Sequence, residues 1–518
     1  MTKLIRADRA MGYLAEHLVI RRNPSIRNLI IGLVAFTLVL SVVKIAICAY
    51  PVAAQDFETW APQERIPDYG DESRPPYMVA DTNRTIHVFN YQPIGLDDPT
   101  EAIFYRTWTL EDGWSAPNDI LLSPMGGRPN LQDVFLDESG IIHLIFFGGN
   151  EVKGAMYYAS APAAAAGRAP AWTRPENIGE NAGPLPSATM TSDGKGNIVV
   201  IYTGREDQEY GLYEVHSTDN GDTWSDPTLI MRTYDQLLPT GTRATFDEEG
   251  RVHVVWSLVD NRGIDVEIYY AKLSSDFAEW TEPYLFAQRT PKDYKTAWPT
   301  ITSYDGALTV VYMQGSPATK WIRRSFDGGE TWSDPERPFP HTGEYEHVVL
   351  VKDSNDTLHI LLGNRLGDEA HGMWHGVWLG QRWSSLEPVV TGPKTLEFDP
   401  SAPRGVVSQG NLLFVAWWTD TGGAPRNGAW YSYKTIDAPE LPIIPLPTPV
   451  VSPTPTPIPT KKAGLVEPKQ ETTPAKLNHQ FDDVPAPAQS ASPTFPIIVG
   501  IVSSLLIAVF VIVSQKFY

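Results

Sequence analysis

Residues 217–227 read STDNGDTWSDP and residues 325–335 read SFDGGETWSDP, one turn written twice, 108 residues apart. Asp219 and Asp327 can accept backbone N–H bonds across a tight turn, and Gly221 and Gly329 can take positive φ. Thr223 and Thr331 can fasten the turn with their hydroxyls, while Trp224 and Trp332 offer apolar faces to wedge between sheets. Their work is structural. Weaker copies, a Trp followed within a few residues by Pro, stand at Trp60, Trp114, Trp172, Trp280 and Trp383, and all seven recur at intervals of 51 to 58 residues. A period of that size points to a propeller or another repeat array.

Each interval has the same internal order. A first apolar run meets an Asp/Gly/Asn turn and a β-branched run, as in DEEGRVHVVWS at 247–257, and then an aromatic third strand, as in EIYYAKL at 267–273. The Trp turn leads into a fourth. Four short strands separated by turn residues describe one propeller blade. Seven such sets occur, but the seventh ends near Asp437 without its own Trp-Pro strand. FETWAPQERIP at 57–67 can supply it, closing the ring between the chain's two ends and removing exposed sheet edges. The expected fold is an all-β, seven-bladed propeller, with a six-bladed ring as the alternative.

Composition limits the partners. The 61 Asp and Glu exceed the 41 Lys and Arg, a formal charge of −20 that repels nucleic acid. Cys48 is the only cysteine, so no intrachain disulfide or cysteine metal site can form. Residues 1–54 read as a basic segment followed by a signal peptide or signal anchor: Arg21, Arg22 and Arg27 precede the apolar run Leu29 to Val43, and Val52-Ala53-Ala54 suits signal peptidase. Residues 55–437 hold the repeats. Residues 438–494, with PIIPLPTPVVSPTPTPIPT, read as a Pro-rich stalk lacking a core. Residues 495–514 carry no charge over about the ~20 positions that a bilayer needs, and 515–518 form a short cytoplasmic tail. The expected location is the cell membrane, with the repeats on the extracytoplasmic side.

The opening phrase resembles the Asp-box, S/T-x-D-x-G-x-T-W, of the sialidase-like β-propellers; 217–224 and 325–332 match every defined position. The resemblance implies three arginines holding a sialate carboxylate, a Tyr nucleophile polarised by Glu, and an Asp acid/base. Arg65-Ile66-Pro67 imitates the family's first arginine motif, yet the repeat alignment places Arg65 in an outermost strand, far from the axis. With the boxes on one face, the starts of the innermost strands and the second-to-third-strand loops share the other. That face should carry Arg74, Arg128 and Arg404 from strand starts, and Arg262 and Arg365 from loops, suited to an anionic sugar through the guanidinium fork. Glu346, nineteen residues before Arg365, resembles the family's Glu-then-Arg pattern, and Tyr345 beside it is the candidate nucleophile. Tyr431 and Tyr433 share an aromatic third-strand column with Tyr105, Tyr157, Tyr213, Tyr269 and Trp374, which argues for packing. His87, His143, His253 and His359 recur at one register and read likewise as strand contacts.

No phosphate loop, nucleophile elbow or metal-ligand set is apparent, so neither cofactor nor metal is expected. Three functions stay open: a surface propeller binding glycan or an extracellular protein, with or without hydrolysis; an exo-α-sialidase; and a non-catalytic envelope scaffold.

Overall fold

A computed structural model of the chain describes residues 59–69, 75–95, 100–149, 154–180, 187–206, 209–343, 346–366, 371–395, 398–419 and 428–446. The N-terminal signal or anchor, Arg74, Tyr345, most of the stalk, the C-terminal apolar segment and the tail lie outside the described residues. Seven antiparallel sheets, one per repeat, settle the choice between seven blades and six. Their innermost strands are Tyr77–Ala80, Asn130–Leu136, Ala188–Ser192, Leu238–Phe246, Lys295–Tyr304, Val349–Lys352 and Pro400–Ser408, here opening blades 1 to 7. Neighbouring innermost strands touch all the way round, and the seventh touches the first.

Blade 7 closes as expected. Its strands Pro400–Ser408, Leu412–Thr419 and Ala429–Thr435 are completed by Glu64–Arg65, which pairs with Trp430 and Tyr431. Arg65 is exposed in that outermost strand, as the alignment requires. Second strands such as Val252–Val259 and Leu412–Thr419 are buried at every position because each blade is sandwiched between two others, so they lack the alternation of a half-exposed strand. The core is divided among the seams between blades. Ile86, Val88, Phe414 and Tyr431 fill one side of blade 7, and Leu361, Met373, Val415 and Trp417 fill the other.

The third-strand column is aromatic in all seven blades, with Phe104, Tyr157, Tyr213, Tyr269, Trp321, Trp374 and Tyr431 at equivalent registers. Tyr105 departs from the expected alignment: it lies one residue on, on the opposite side of the sheet. There it serves the histidine register. His87 Nδ1 lies 2.7 Å from the Tyr105 hydroxyl and Nε2 lies 3.1 Å from Asp81. Blade 2 repeats this with Asp137, His143 and Tyr158, and blade 4 with Asp247, His253 and Tyr270. An arrangement with the look of a catalytic relay is buried in three blades as a packing device.

The two Trp turns dock onto these relays. Ser217 Oγ accepts the Gly221 N–H at 2.8 Å, and Asp219 accepts from the Thr223 N–H at 2.8 Å and hydroxyl at 2.6 Å. Ser325, Asp327, Gly329 and Thr331 repeat the pattern. Asn220 Nδ2 then reaches Asp137 of the preceding blade at 2.8 Å, and Trp224 meets Tyr158 edge-on at 4.9 Å. Trp332 does the same to Tyr270 at 5.1 Å. Each turn therefore caps the relay of the blade before it.

The ordered chain continues past the last strand. Leu441 N–H donates to Gln409 O at 2.7 Å, and Thr82 exchanges two hydrogen bonds with Ile444. Glu440 pairs with Arg84, and Leu446 packs into the cluster between blades 1 and 2. Residues 438–446 are thus a strap across the first-to-second-strand turns, on the face that carries the Trp turns.

Candidate functional site on the ring axis

A strand's side chains alternate between faces, so a bulge in an innermost strand re-aims everything after it. Blades 4, 5 and 7 bulge at one height: their ladders shift register between Thr240 and Arg243, between Ala297 and Thr300, and between Ser401 and Arg404. The bulges place Gly241, Trp298 and Ala402 at φ of 60°, 56° and 53°. For Trp298 that conformation is a strained outlier, of the kind that collects at functional sites.

The bulges turn Arg243 and Arg404 into a cavity of about 240 Å³ on the axis, where Tyr77, Asp133, Thr189 and His347 join them. Neither guanidinium is ion-paired among the described residues. Arg243 Nη1 donates to Thr242 O at 2.7 Å, Arg404 Nη1 donates to Pro403 O at 3.0 Å, and the Arg404 guanidinium lies 5.3 Å from the Tyr77 ring centre. Asp133 is occupied by protein donors, the Thr189 hydroxyl at 3.1 Å and the Met190 N–H at 2.9 Å.

Electrostatics favour an incoming anion. Burial, and then the neighbouring Arg404 charge, push the Arg243 pKa down, so two cations face one cavity with Asp133 as the nearby carboxylate. Burial raises the Asp133 pKa against the hydrogen bond from Met190 and the charge of Arg243. His347 is held well below the usual imidazole range by burial and then by Arg243 and Arg404, so it is neutral. Pro299 O, 2.9 Å from its Nδ1, can only accept, which places the proton on Nδ1 and leaves Nε2 a lone pair. Trp298 stands edge-on to this ring at 5.2 Å.

Of the arginines nominated from sequence, Arg404 alone reaches this cavity among the described residues. Arg128, 59% exposed, is held by Glu101. Arg262, 65% exposed, folds back on Asp260 in its own loop. Arg365 grips Asp399 with two nitrogens, and His371 Nε2 lies 3.0 Å from the same carboxylate, so its fork is already filled. Glu346 receives Lys320 Nζ on its backbone carbonyl at 2.6 Å and contributes to the potential at Arg243. The sequence reading missed Arg243, Asp133 and His347. The usable signal was TGTRATF at 240–246 beside SAPRGVV at 401–407, in which an Arg follows a turn-forming residue at the same blade position.

No protein-family profile matches the chain, and no curated protein matches it. Solved structures do. One is a protein of unknown function from Dyadobacter fermentans, at 15% identity and a TM-score of 0.44 over 72% of this chain and 98% of that one. A polysaccharide lyase described as an ulvan lyase aligns at 14% identity and a TM-score of 0.46, over 72% and 96%. A leech intramolecular trans-sialidase aligns at 13% identity and a TM-score of 0.39, over 71% and 68%.

Proposed function

We propose that the protein is a glycan-binding propeller whose axial cavity takes the carboxylate or sulfate of an acidic sugar between Arg243 and Arg404. The observation that supports this most is the pair of guanidiniums with no carboxylate partner among the described residues, facing a cavity rather than each other's counter-ions. A desolvated, charge-assisted hydrogen bond contributes about 1.5–3 kcal/mol, so Arg243→Ala or Arg404→Ala in the full-length chain should weaken binding of an acidic oligosaccharide about 10- to 100-fold. Arg262→Ala should leave it unchanged. Calorimetric titration checks this, and equal affinity in all three variants would sink the reading.

His347 supports a second reading, in which binding is followed by eliminative cleavage of the sugar chain. With Nδ1–H fixed by Pro299, Nε2 has a lone pair to accept a proton, and an anion bound between Arg243 and Arg404 would offset the two charges that depress its basicity, as a general base requires. It would take the proton from the carbon beside the sugar carboxylate; the freed electron pair forms a carbon–carbon double bond, and the glycosidic oxygen departs with the pair of its broken C–O bond and takes a proton from water. The same titration samples decide it: ultraviolet absorbance of an unsaturated product should grow with the wild type and not with His347→Gln.

The uncharged run at 495–514, about as long as a bilayer needs, supports tethering of the propeller by the C-terminal end of the chain. In membrane fractionation, a chain ended at residue 446 should move to the soluble fraction while the full chain, if its N-terminal segment is cleaved, stays with the membrane. Retention of both would remove the C-terminal anchor from the account.

A further inference from the structure

The relays of blades 1, 2 and 4 balance their protons. In each, the aspartate oxygen can only accept, which puts a proton on Nε2, and the tyrosine O–H can supply the proton that Nδ1 accepts, so two protons suffice for two hydrogen bonds. Blade 6 differs by one residue. His375 stands where its counterparts carry Tyr, and the chain of contacts lengthens: His359 Nε2 lies 3.1 Å from Asp353, His359 Nδ1 lies 2.9 Å from His375 Nε2, and His375 Nδ1 lies 2.7 Å from Glu387. Three contacts strung between two carboxylates need three N–H protons. Two neutral imidazoles carry two. With only those, one contact would set a lone pair against a lone pair.

We propose that His375 is held as an imidazolium in the folded protein, and that this extra proton is a pH-sensitive latch on the seam where the ring closes. Glu387, its counter-ion, is also what fastens the closing segment: it accepts Trp60 Nε1 at 3.2 Å from that segment and Lys434 Nζ at 2.9 Å from the strand beside it. The Trp60 ring stands edge-on to His375 at 5.6 Å. The charge belongs on His375 because burial keeps the His359 pKa below the usual imidazole range, in the tautomer of its three counterparts. The hydrogen bond from His375 holds the Glu387 carboxyl down to about 2, against burial, with Lys434 helping.

The site is open to water for a topological reason. In blades 2 and 4 the next blade's Trp turn caps the relay. Blade 7 has no such turn, because its outer strand comes from the other end of the chain and Ala429–Thr435 runs into the strap. A cavity of about 780 Å³ occupies the position, lined by Asp353, His359, His375, Glu387, Lys434 and Asp437. Three carboxylates and one lysine face the histidine pair, a balance that retains a proton.

The sign follows from where the proton is bound. The stabilisation that the extra proton gives is present while it is bound and is lost when rising pH removes it. Hydrogen exchange at Ala61 and Ile66, whose amides donate to Tyr433 O and Ala429 O, reads it in the full-length chain. After correction for intrinsic exchange, protection in the wild type should fall as pH is raised, and His375→Tyr, which restores the balanced relay, should show no such fall. Parallel profiles would overturn the latch. Should the tyrosine variant fail to fold, His375→Gln and histidine carbon NMR of the wild type decide: the latch requires one imidazolium at neutral pH that disappears in the variant, and a fully neutral set would refute it.

Discussion

A chain lacking residues 59–67 will not unfold as a cooperative unit, whereas the intact protein will show one transition for the propeller by calorimetry. The segment is small, but its loss exposes much. Ile66 is fully buried, Ala61 exchanges hydrogen bonds with Tyr433 and Ser432, and Glu64 accepts the Tyr431 hydroxyl at 2.7 Å. The fully buried Arg106 donates to the carbonyls of Pro67 and Asp68. Stripping acceptors from a buried charge costs about 3–5 kcal/mol, losing the Ile66 burial about 1.5–3, and each hydrogen bond about 1. Together these approach the whole stability of about 5–15 kcal/mol expected of a folded domain. A truncated chain with an unchanged melting curve would show that the ring does not depend on its closing strand.

The second large effect is expected at a single methyl group. Gly329 sits at φ +86°, and a Cβ there would overlap the Tyr270 hydroxyl. That hydroxyl is bonded to His253 Nδ1 at 2.8 Å, so moving it breaks the relay beneath. Gly329→Ala should cost about 1–2 kcal/mol for the left-handed backbone and about 1–3 more for the displaced, buried hydroxyl. Gly306→Ala separates the two contributions, because Gly306 has φ +66° with nothing within 4 Å of the added carbon. Denaturant midpoints should place Gly329→Ala well below Gly306→Ala. Equal losses would mean that the turn glycine answers to backbone conformation alone and that the docking of turn on relay contributes nothing.

That outcome bears on what the repeated phrase says. Read alone, Gly221 and Gly329 are turn glycines chosen for positive φ. Placed in the ring, they are also contact residues, because the turn of one blade lies against a tyrosine more than 50 residues earlier in the chain. The histidine register was legible as packing from its recurrence through four blades, but its partners were not. Asp81 and Tyr105 reach His87 only after the hairpins fold, and nothing local distinguishes Tyr158 from Tyr157 except which side of the sheet each occupies.

The sequence by itself determined the ring of repeated blades, the order of strands within each blade, and the return of the N-terminal Trp-Pro strand to complete the last, while the seven sheets of the structure decided seven blades over six. These follow from local chemistry repeated at a fixed interval: turn residues, β-branched runs, and a Trp to wedge each seam. Which charged side chains face the axis was decided by tertiary structure alone. Arg365 lost its place to a carboxylate 34 residues away, and Arg243 gained one because a bulge shifted its strand's alternation. A repeat fixes where a strand lies, but a single added residue fixes which way its side chains point, and a partner from another blade fixes whether a charge remains free to bind.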